Sequence, residues 1–315
     1  MQDLGGLVFN NIIRKPRIIV IIGSTATGKS ALAVEIAKKI SAEIISADSR
    51  QVYKGLNIGT GKITKKEMRG IPHHLLDVVS PKKTFTASDF KKEAGEVMEE
   101  ILKRGRIPII VGGTGFYIDT LLGNISLPEV APNENLRQKL EKFPTEKLFE
   151  KLKKIDPGRA ENIDRYNRPR LIRAIEVAQA LDKVPKTTKT KHLYDISYIG
   201  LTAENSALKE RVDKRLTQRI KAGMIAEVRK LHKQGLSWKR MEELGLEYRY
   251  LSRYLREKIS KEEMAELLGR EIYRYAKRQK TWFKRNKRIR WFEAFNNDDL
   301  KNAIMLASRF VHSRI

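Results

Sequence analysis

Two short groups of residues carry chemistry. The first is "GSTATGKS", Gly23 to Ser30, which fits the pattern Gly, four residues, Gly-Lys-Ser in full. Gly23 and Gly28 permit a tight backbone, and the amides of Ser24, Thr25, Ala26 and Thr27 turn inward between them. Lys29 adds a point charge, and the Ser30 hydroxyl is suited to Mg²⁺. Such a loop grips a phosphate chain. The second group is Asp48 in "EIISADSRQ". A carboxylate there is placed to take a proton from an acceptor held against the phosphate. Capping a turn with its own side chain is the competing role. The run at 107–113 ends "VGG" with no acid, which argues against an ATPase motor. A group transferase and a small-molecule kinase both remain open at this point.

These residues need a frame that brings them to one crevice. Five apolar segments read as buried strands: 17–23, 43–48, 107–113, 196–201 and 288–294. Helical spacing lies between the early ones, in "KSALAVEIAKKI" and "ASDFKKEAGEVMEEILKRG". Strand and helix in alternation argue an α/β fold with a parallel sheet. In such a sheet the ends of the first and second strands face the same crevice. The phosphate loop follows the first strand and leads into a helix, whose N-terminus points at the anion.

The interval 126–194 shows three helical patterns and no strand, so it reads as an all-helical insertion domain. Its expected hinges are Leu127–Pro132 and Lys183–Lys191. Residues 1–125 form the first part of the P-loop core. The core resumes at 195–315 with basic helices and a last strand. Ser260 and Glu263 form a capping box ahead of "MAELLGREIYRYAKRQKTWF".

The chain has 64 Lys and Arg against 38 Asp and Glu, a formal net charge of +26. That excess favours an anionic partner such as nucleic acid or an acidic membrane surface, or serves solubility alone. There is no cysteine, which excludes disulfides and thiolate metal sites and is compatible with a cytoplasmic protein. No apolar run approaches the ~20 residues of a membrane span, so no membrane role is expected. The opening "MQDLGGLVFNNIIRKPR" reads as a short extension. His73 and His74 are adjacent, a poor chelate, and imply no metal.

Several stretches together resemble the tRNA dimethylallyltransferases, also called tRNA isopentenyltransferases, in their bacterial form. They are "GSTATGKSALA", "IISADSRQVYKGLNIGTGK", "PHHLLDV", "IIVGGTGFY", "NRPRLIRAIEV", "RVDKRL", "AGMIAEV" and "AKRQKTWFKR". They run in order over nearly the whole chain. The resemblance implies that the loop grips the diphosphate of dimethylallyl diphosphate. It implies transfer of the dimethylallyl group to the exocyclic amine of an adenosine beside the tRNA anticodon. Thr25 then matches a loop threonine that bonds the bridging oxygen of the leaving group, and Asp48 the base. Arg215 and Arg137 match arginines assigned to diphosphate or tRNA phosphate. Asp48, Ser49, Arg50 and Gln51 match the base-contacting segment. Thr114 and Pro169, Arg170, Leu171, Ile172 and Arg173 match tRNA contacts, and Tyr248 and Arg249 remain of a third contact motif. An adenosine in a stacked loop must be extruded for such chemistry.

The segment 271–290 holds nine Lys and Arg and one Glu. Lys277, Arg278, Lys284 and Arg285 are expected to face outward towards the tRNA anticodon stem-loop, with Tyr273, Trp282 and Phe283 mostly inward. Mg²⁺ is the expected cofactor, and a monomer the expected state. "GLEYRY" at 245–250 departs from the motif usual in the family. A kinase, a prenyltransferase of free adenine nucleotide and an RNA-binding module with a relic loop are the alternatives. The helical insert and basic tail disfavour the first two, and the intact Lys29, Ser30 and Asp48 disfavour the third.

Overall fold

The computed structural model describes residues 15–181 and 193–313. The expected hinge at Lys183–Lys191, His192 and most of the N-terminal extension lie outside them. The chain divides into two compact units, Met1–Leu122 with His192–Ile315, and Gly123–Lys191.

The first unit is built on strand β1 (Arg17–Gly23), whose Ile18, Ile19, Val20 and Ile21 are fully buried. A run that is apolar on both alternations needs cover on both faces, which a central parallel strand receives. Helix α1 (Lys29–Ile40) follows the phosphate loop and buries Leu32, Ala33, Val34, Ile36, Ala37 and Ile40. Next come β2 (Ala42–Ser46), the single turn α2 (Lys65–Met68), β3 (His73–His74) and α3 (Ala87–Lys103). Helix α3 starts at a Thr86–Asp89 capping box and buries Phe90, Ala94, Met98 and Ile101 along one stripe. Strand β4 (Ile107–Gly112) and α4 (Gly115–Leu121) complete the first pass. Phe90 stacks on Tyr117 with centroids 4.3 Å apart, joining α3 to α4.

The second unit holds α5 (Glu134–Leu140), α6 (Thr145–Ile155), α7 (Pro157–Ala160) and α8 (Arg168–Leu181). Among the described residues it contains no strand. Its own core gathers Leu140, Leu148, Leu152, Ala160, Leu171, Ile172 and Ile175.

The chain returns to the sheet with β5 (Asp195–Thr202). It continues through α9 (Asn205–Lys221), α10 (Met224–Lys233), α11 (Trp238–Leu244), α12 (Leu246–Leu255) and α13 (Lys261–Phe283). It closes with β6 (Arg290–Glu293) and α14 (Asn297–His312). Helix α13 begins at the expected Ser260–Glu263 capping box.

The sheet is six-stranded and parallel, in the order β3-β2-β4-β1-β5-β6. From β1 the chain moves to one side for β2, β3 and β4, and to the other for β5 and β6. The loops after β1 and its neighbours therefore part at the C-terminal ends of the strands, the place where α/β sheets bind ligands. Strand β3 had no sequence signal, because its two residues are histidines. The second strand ends at Ser46, not at Asp48 as the sequence suggested. Asp48 sits in the turn that follows.

Candidate active site

The phosphate loop is held open by its own backbone and by α13. Gly28 has φ 85° and caps α1 in a left-handed conformation that favours glycine. Ala26 also takes a positive φ, 66°. Inside the loop, Thr27 Oγ1 donates to the Ser24 carbonyl at 2.8 Å, and Lys29 Nζ reaches the same carbonyl at 2.5 Å. Ser24 Oγ points away and donates to the Ala276 carbonyl on α13 at 2.9 Å. Burial pushes the Lys29 amine down to about 7; nearby Asp48 opposes the shift and Arg215 adds to it.

Asp48 is oriented by its own turn. Its Oδ1 accepts the N–H groups of Arg50 at 2.8 Å and Gln51 at 3.2 Å. The turn-capping bonds thus both fall on one oxygen of the carboxylate. Across the crevice, Thr114 Oγ1 accepts the Ser49 N–H at 3.1 Å.

Helix α9 presents Arg211, Arg215 and Gln218 to this crevice. The spacing, four and then three residues, places them on one face. Arg215 is desolvated and lies near Arg219 and Arg211, which lowers its pKa. Its guanidinium approaches the loop "GLNIGTGK", coming to 3.0 Å of where a Cβ on Gly61 would stand. That loop is clamped from behind. The Glu227 carboxylate accepts the N–H groups of Asn57 at 3.0 Å, Ile58 at 2.7 Å and Gly59 at 3.0 Å, and the Tyr248 hydroxyl at 3.0 Å. Arg219 donates to the Gly59 carbonyl at 2.6 Å.

A cavity of about 470 Å³ unites these groups. The loop residues Thr25, Ala26, Gly28, Lys29 and Ser30 line one wall. Asp48, Gln51, Thr60 and Gly61 line another, and Arg211, Arg215, Tyr275 and Gln279 close it. A smaller cavity of about 110 Å³ is lined by Ser49, Arg50, Leu246, Glu247 and Ile272, and shares Thr25, Asp48, Thr60 and Tyr275 with the larger one. Burial, with Asp48 nearby, pushes the Tyr275 phenol up to about 12, so it remains a neutral hydroxyl at physiological pH.

A phosphate loop, a carboxylate and an arginine around one cavity suit displacement of a phosphorylated leaving group. The family model described as IPP transferase matches residues 51–286. The chain belongs to the IPP transferase family. A tRNA dimethylallyltransferase of Anoxybacillus flavithermus is 40% identical over 88% of this chain and 90% of its own length. One of Syntrophus aciditrophicus is 42% identical over 91% and 97%. Among solved structures, a full-length tRNA isopentenylpyrophosphate transferase of Bacillus halodurans superposes with TM-score 0.70 at 35% identity, over 94% of this chain and 97% of that one. A eukaryotic dimethylallyltransferase acting on tRNA reaches TM-score 0.80 at 25% identity, over 95% and 80%.

In this IPP transferase, the sequence-derived residues divide between cavity and scaffold. Thr25, Lys29, Ser30, Asp48, Gln51 and Arg215 line the larger cavity, and Ser49 and Arg50 the smaller. Thr114 is the bond acceptor that fixes Ser49. Six residues expected to contact tRNA are buried or have protein partners in this structure. Leu171 and Ile172 are buried in the core of the helical unit. Arg137 forms a two-pronged pair with the buried Glu176, at 3.0 Å on each arm, and Arg173 also bonds Glu176. A buried carboxylate needs such partners, and the two guanidinium groups supply them. Tyr248 is buried behind the Glu227 clamp. Arg249 is half-buried and donates to the Glu242 carbonyl. Pro169 and Arg170 are exposed, as are Lys277, Arg278, Lys284 and Arg285. Arg285 lies over the Trp282 ring at 3.8 Å and Lys277 over Tyr273 at 4.6 Å.

Gln279, Tyr275, Glu227, Arg211 and Gln218 escaped the sequence reading. The helical spacing of Arg211, Arg215 and Gln218 was a usable signal. Gln279 had none, since a Gln among lysines reads as a solvated face. His73 and His74 have protein partners, the Ile71 carbonyl and Glu43. Among the described residues no three His, Asp or Glu side chains converge as a metal cage. The Ser30 hydroxyl on the cavity wall fits Mg²⁺ that is otherwise held by phosphate oxygens and water, the usual manner for that ion.

Proposed function

We propose that this transferase moves a dimethylallyl group from dimethylallyl diphosphate to the exocyclic amine of an adenosine beside the tRNA anticodon, and releases diphosphate. The observation that carries the proposal is the position of Thr25. It lines both cavities, so a diphosphate on the loop would have its departing oxygen beside Thr25 and its allylic carbon towards Asp48.

The loop amides, Lys29 and Arg215 would bind the diphosphate and stabilise the charge that grows as the carbon–oxygen bond breaks. The bonding electrons leave with the bridging oxygen, to which the Thr25 hydroxyl donates. The adenosine amine forms the new carbon–nitrogen bond, and its proton passes to Asp48 Oδ2, while Oδ1 stays bound to the turn. Mg²⁺ on Ser30 and the diphosphate would add further neutralisation of the leaving group. The tyrosine and leucine walls of the smaller cavity suit an extruded base. The exposed basic stripe of α13 supports docking of the anticodon stem-loop on a monomer, in the cytosol where tRNA resides.

Labelled dimethylallyl diphosphate, unmodified tRNA and Mg²⁺ test the reading. Label in tRNA with release of diphosphate is expected. No label, with turnover of ATP, would place the chain among kinases.

A further inference from the structure

Gln279 is a buried amide in an otherwise basic stretch of α13. Its Oε1 accepts the Thr25 N–H at 2.7 Å, and its Nε2 donates to the Gly113 carbonyl at 2.9 Å. The side chain thus bridges the loops that follow two neighbouring strands, β1 and β4. A Cβ on Gly113 would fall 2.0 Å from that Nε2, so this glycine in "VGGTG" makes room for the contact. One turn earlier, Tyr275 lies beside Thr114 and Gln279. Thr114 in turn holds Ser49, the neighbour of Asp48. The bonds of Gln279 to Thr25 and Gly113, and of Thr114, the next residue along, to Ser49, thus link the phosphate loop to the Asp48 turn.

We propose that Gln279 is a positioning residue for the transfer. It fixes the main chain of Thr25, so that the hydroxyl faces the junction of the two cavities at a set distance from Asp48. The inference rests on the transfer reaction proposed above. Reacting groups lose rate steeply when displaced by about 1 Å, whereas overall binding of a diphosphate tolerates such a shift.

The test compares Gln279→Met, Gln279→Glu, Thr25→Ala and the double variant Gln279→Met with Thr25→Ala. Methionine keeps the volume and removes both bonds; glutamate keeps an acceptor for the Thr25 N–H. The readouts are kcat, KM for dimethylallyl diphosphate at saturating tRNA, and thermal melting. For Gln279→Met, kcat should fall about 100-fold with KM within about threefold of wild type. Gln279→Glu should recover part of that loss. The double variant should be no slower than Thr25→Ala alone, because the amide acts through that residue.

Wild-type kcat in Gln279→Met overturns the inference, as does a double variant whose losses multiply. Loss of the cooperative melting transition in both the Met and Glu variants also overturns it, in favour of a purely structural role. A wild-type protein that transfers nothing strikes the proposed reaction itself, and the inference falls with it; the other three outcomes leave the reaction standing.

Discussion

Oδ1 of Asp48 accepts the Arg50 main-chain N–H at 2.8 Å, so the carboxylate that faces the cavity also ties its own turn. Substitution can separate the two tasks. Asp48→Asn keeps an oxygen for the turn and removes the proton acceptor. Transfer should fall about 10²- to 10⁴-fold in Asp48→Asn. Asp48→Ala loses the cap as well and should cost about 1 kcal/mol of stability beyond the Asn variant. Single-turnover rates and urea denaturation measure the two effects. A normal rate in Asp48→Asn would remove Asp48 from the chemistry.

Lys29 should give diphosphate binding a pH dependence. Its amine titrates at about 7 in the free protein, well below the ordinary 10.5, because burial outweighs the attraction of Asp48. A bound polyanion raises that pKa, so binding above pH 7 takes up a proton. Affinity for inorganic diphosphate should therefore weaken as pH rises from 7 to 9, by up to about tenfold per unit. Lys29→Met should show the shallower slope of the ligand's own ionisation. In the absence of ligand the sign for folding is also set. Between pH 10.5 and 7 the unfolded chain holds a proton that the folded chain does not, so this amine makes the fold less stable as pH falls through that window. Calorimetry across the range checks the binding slope.

Glu227 governs a wall of the site without touching the phosphate loop. Its carboxylate pairs three consecutive N–H groups of the loop carrying Thr60 and Gly61. Glu227→Ala should cost about 2–3 kcal/mol, because those donors and the Tyr248 hydroxyl lose a charged acceptor. Tyr248→Phe should cost about 1 kcal/mol, since it deletes a single bond. Urea midpoints with unchanged slopes would establish both values.

The basic stripe should govern tRNA affinity through salt. Lys277, Arg278 and Arg285 are exposed on or just beyond α13. If each neutralises one phosphate, replacing all three by Ala should flatten the plot of log affinity against log salt by about 2–3. Filter binding between 50 and 200 mM salt, about the range over which such slopes are read, measures this. An unchanged slope would mean that tRNA docks on another face.

Legibility in the sequence followed the range of the interactions. The phosphate loop could be read because all its determinants lie within eight residues of one another. Strands β1 and β5 could be read because burial on both faces leaves a continuous apolar run. The helices of the insertion unit could be read from their periodicity, but the partners of their side chains could not. The sequence gives no sign that Arg137 and Arg173 share the carboxylate of Glu176. Gln279 lies 254 residues from Thr25, and Glu227 lies 168 residues from Gly59. Neither partnership leaves a local pattern, since the side chain and the amide it pairs come together only when α9 to α13 pack beside the sheet. Asp48 fell between these cases: turn capping by its side chain was one of two expected roles and is present, whereas the strand expected to reach it stops at Ser46.

A structure of the protein with a non-transferring thio analogue of dimethylallyl diphosphate tests the central claim most directly. The diphosphate should lie among the amides of 26–30 with Lys29 and Arg215 upon it, and the allylic carbon should face the space between Thr25 and Asp48. An analogue with its hydrocarbon turned away from Asp48, or a loop that rejects it and binds a nucleoside triphosphate, would contradict the assignment.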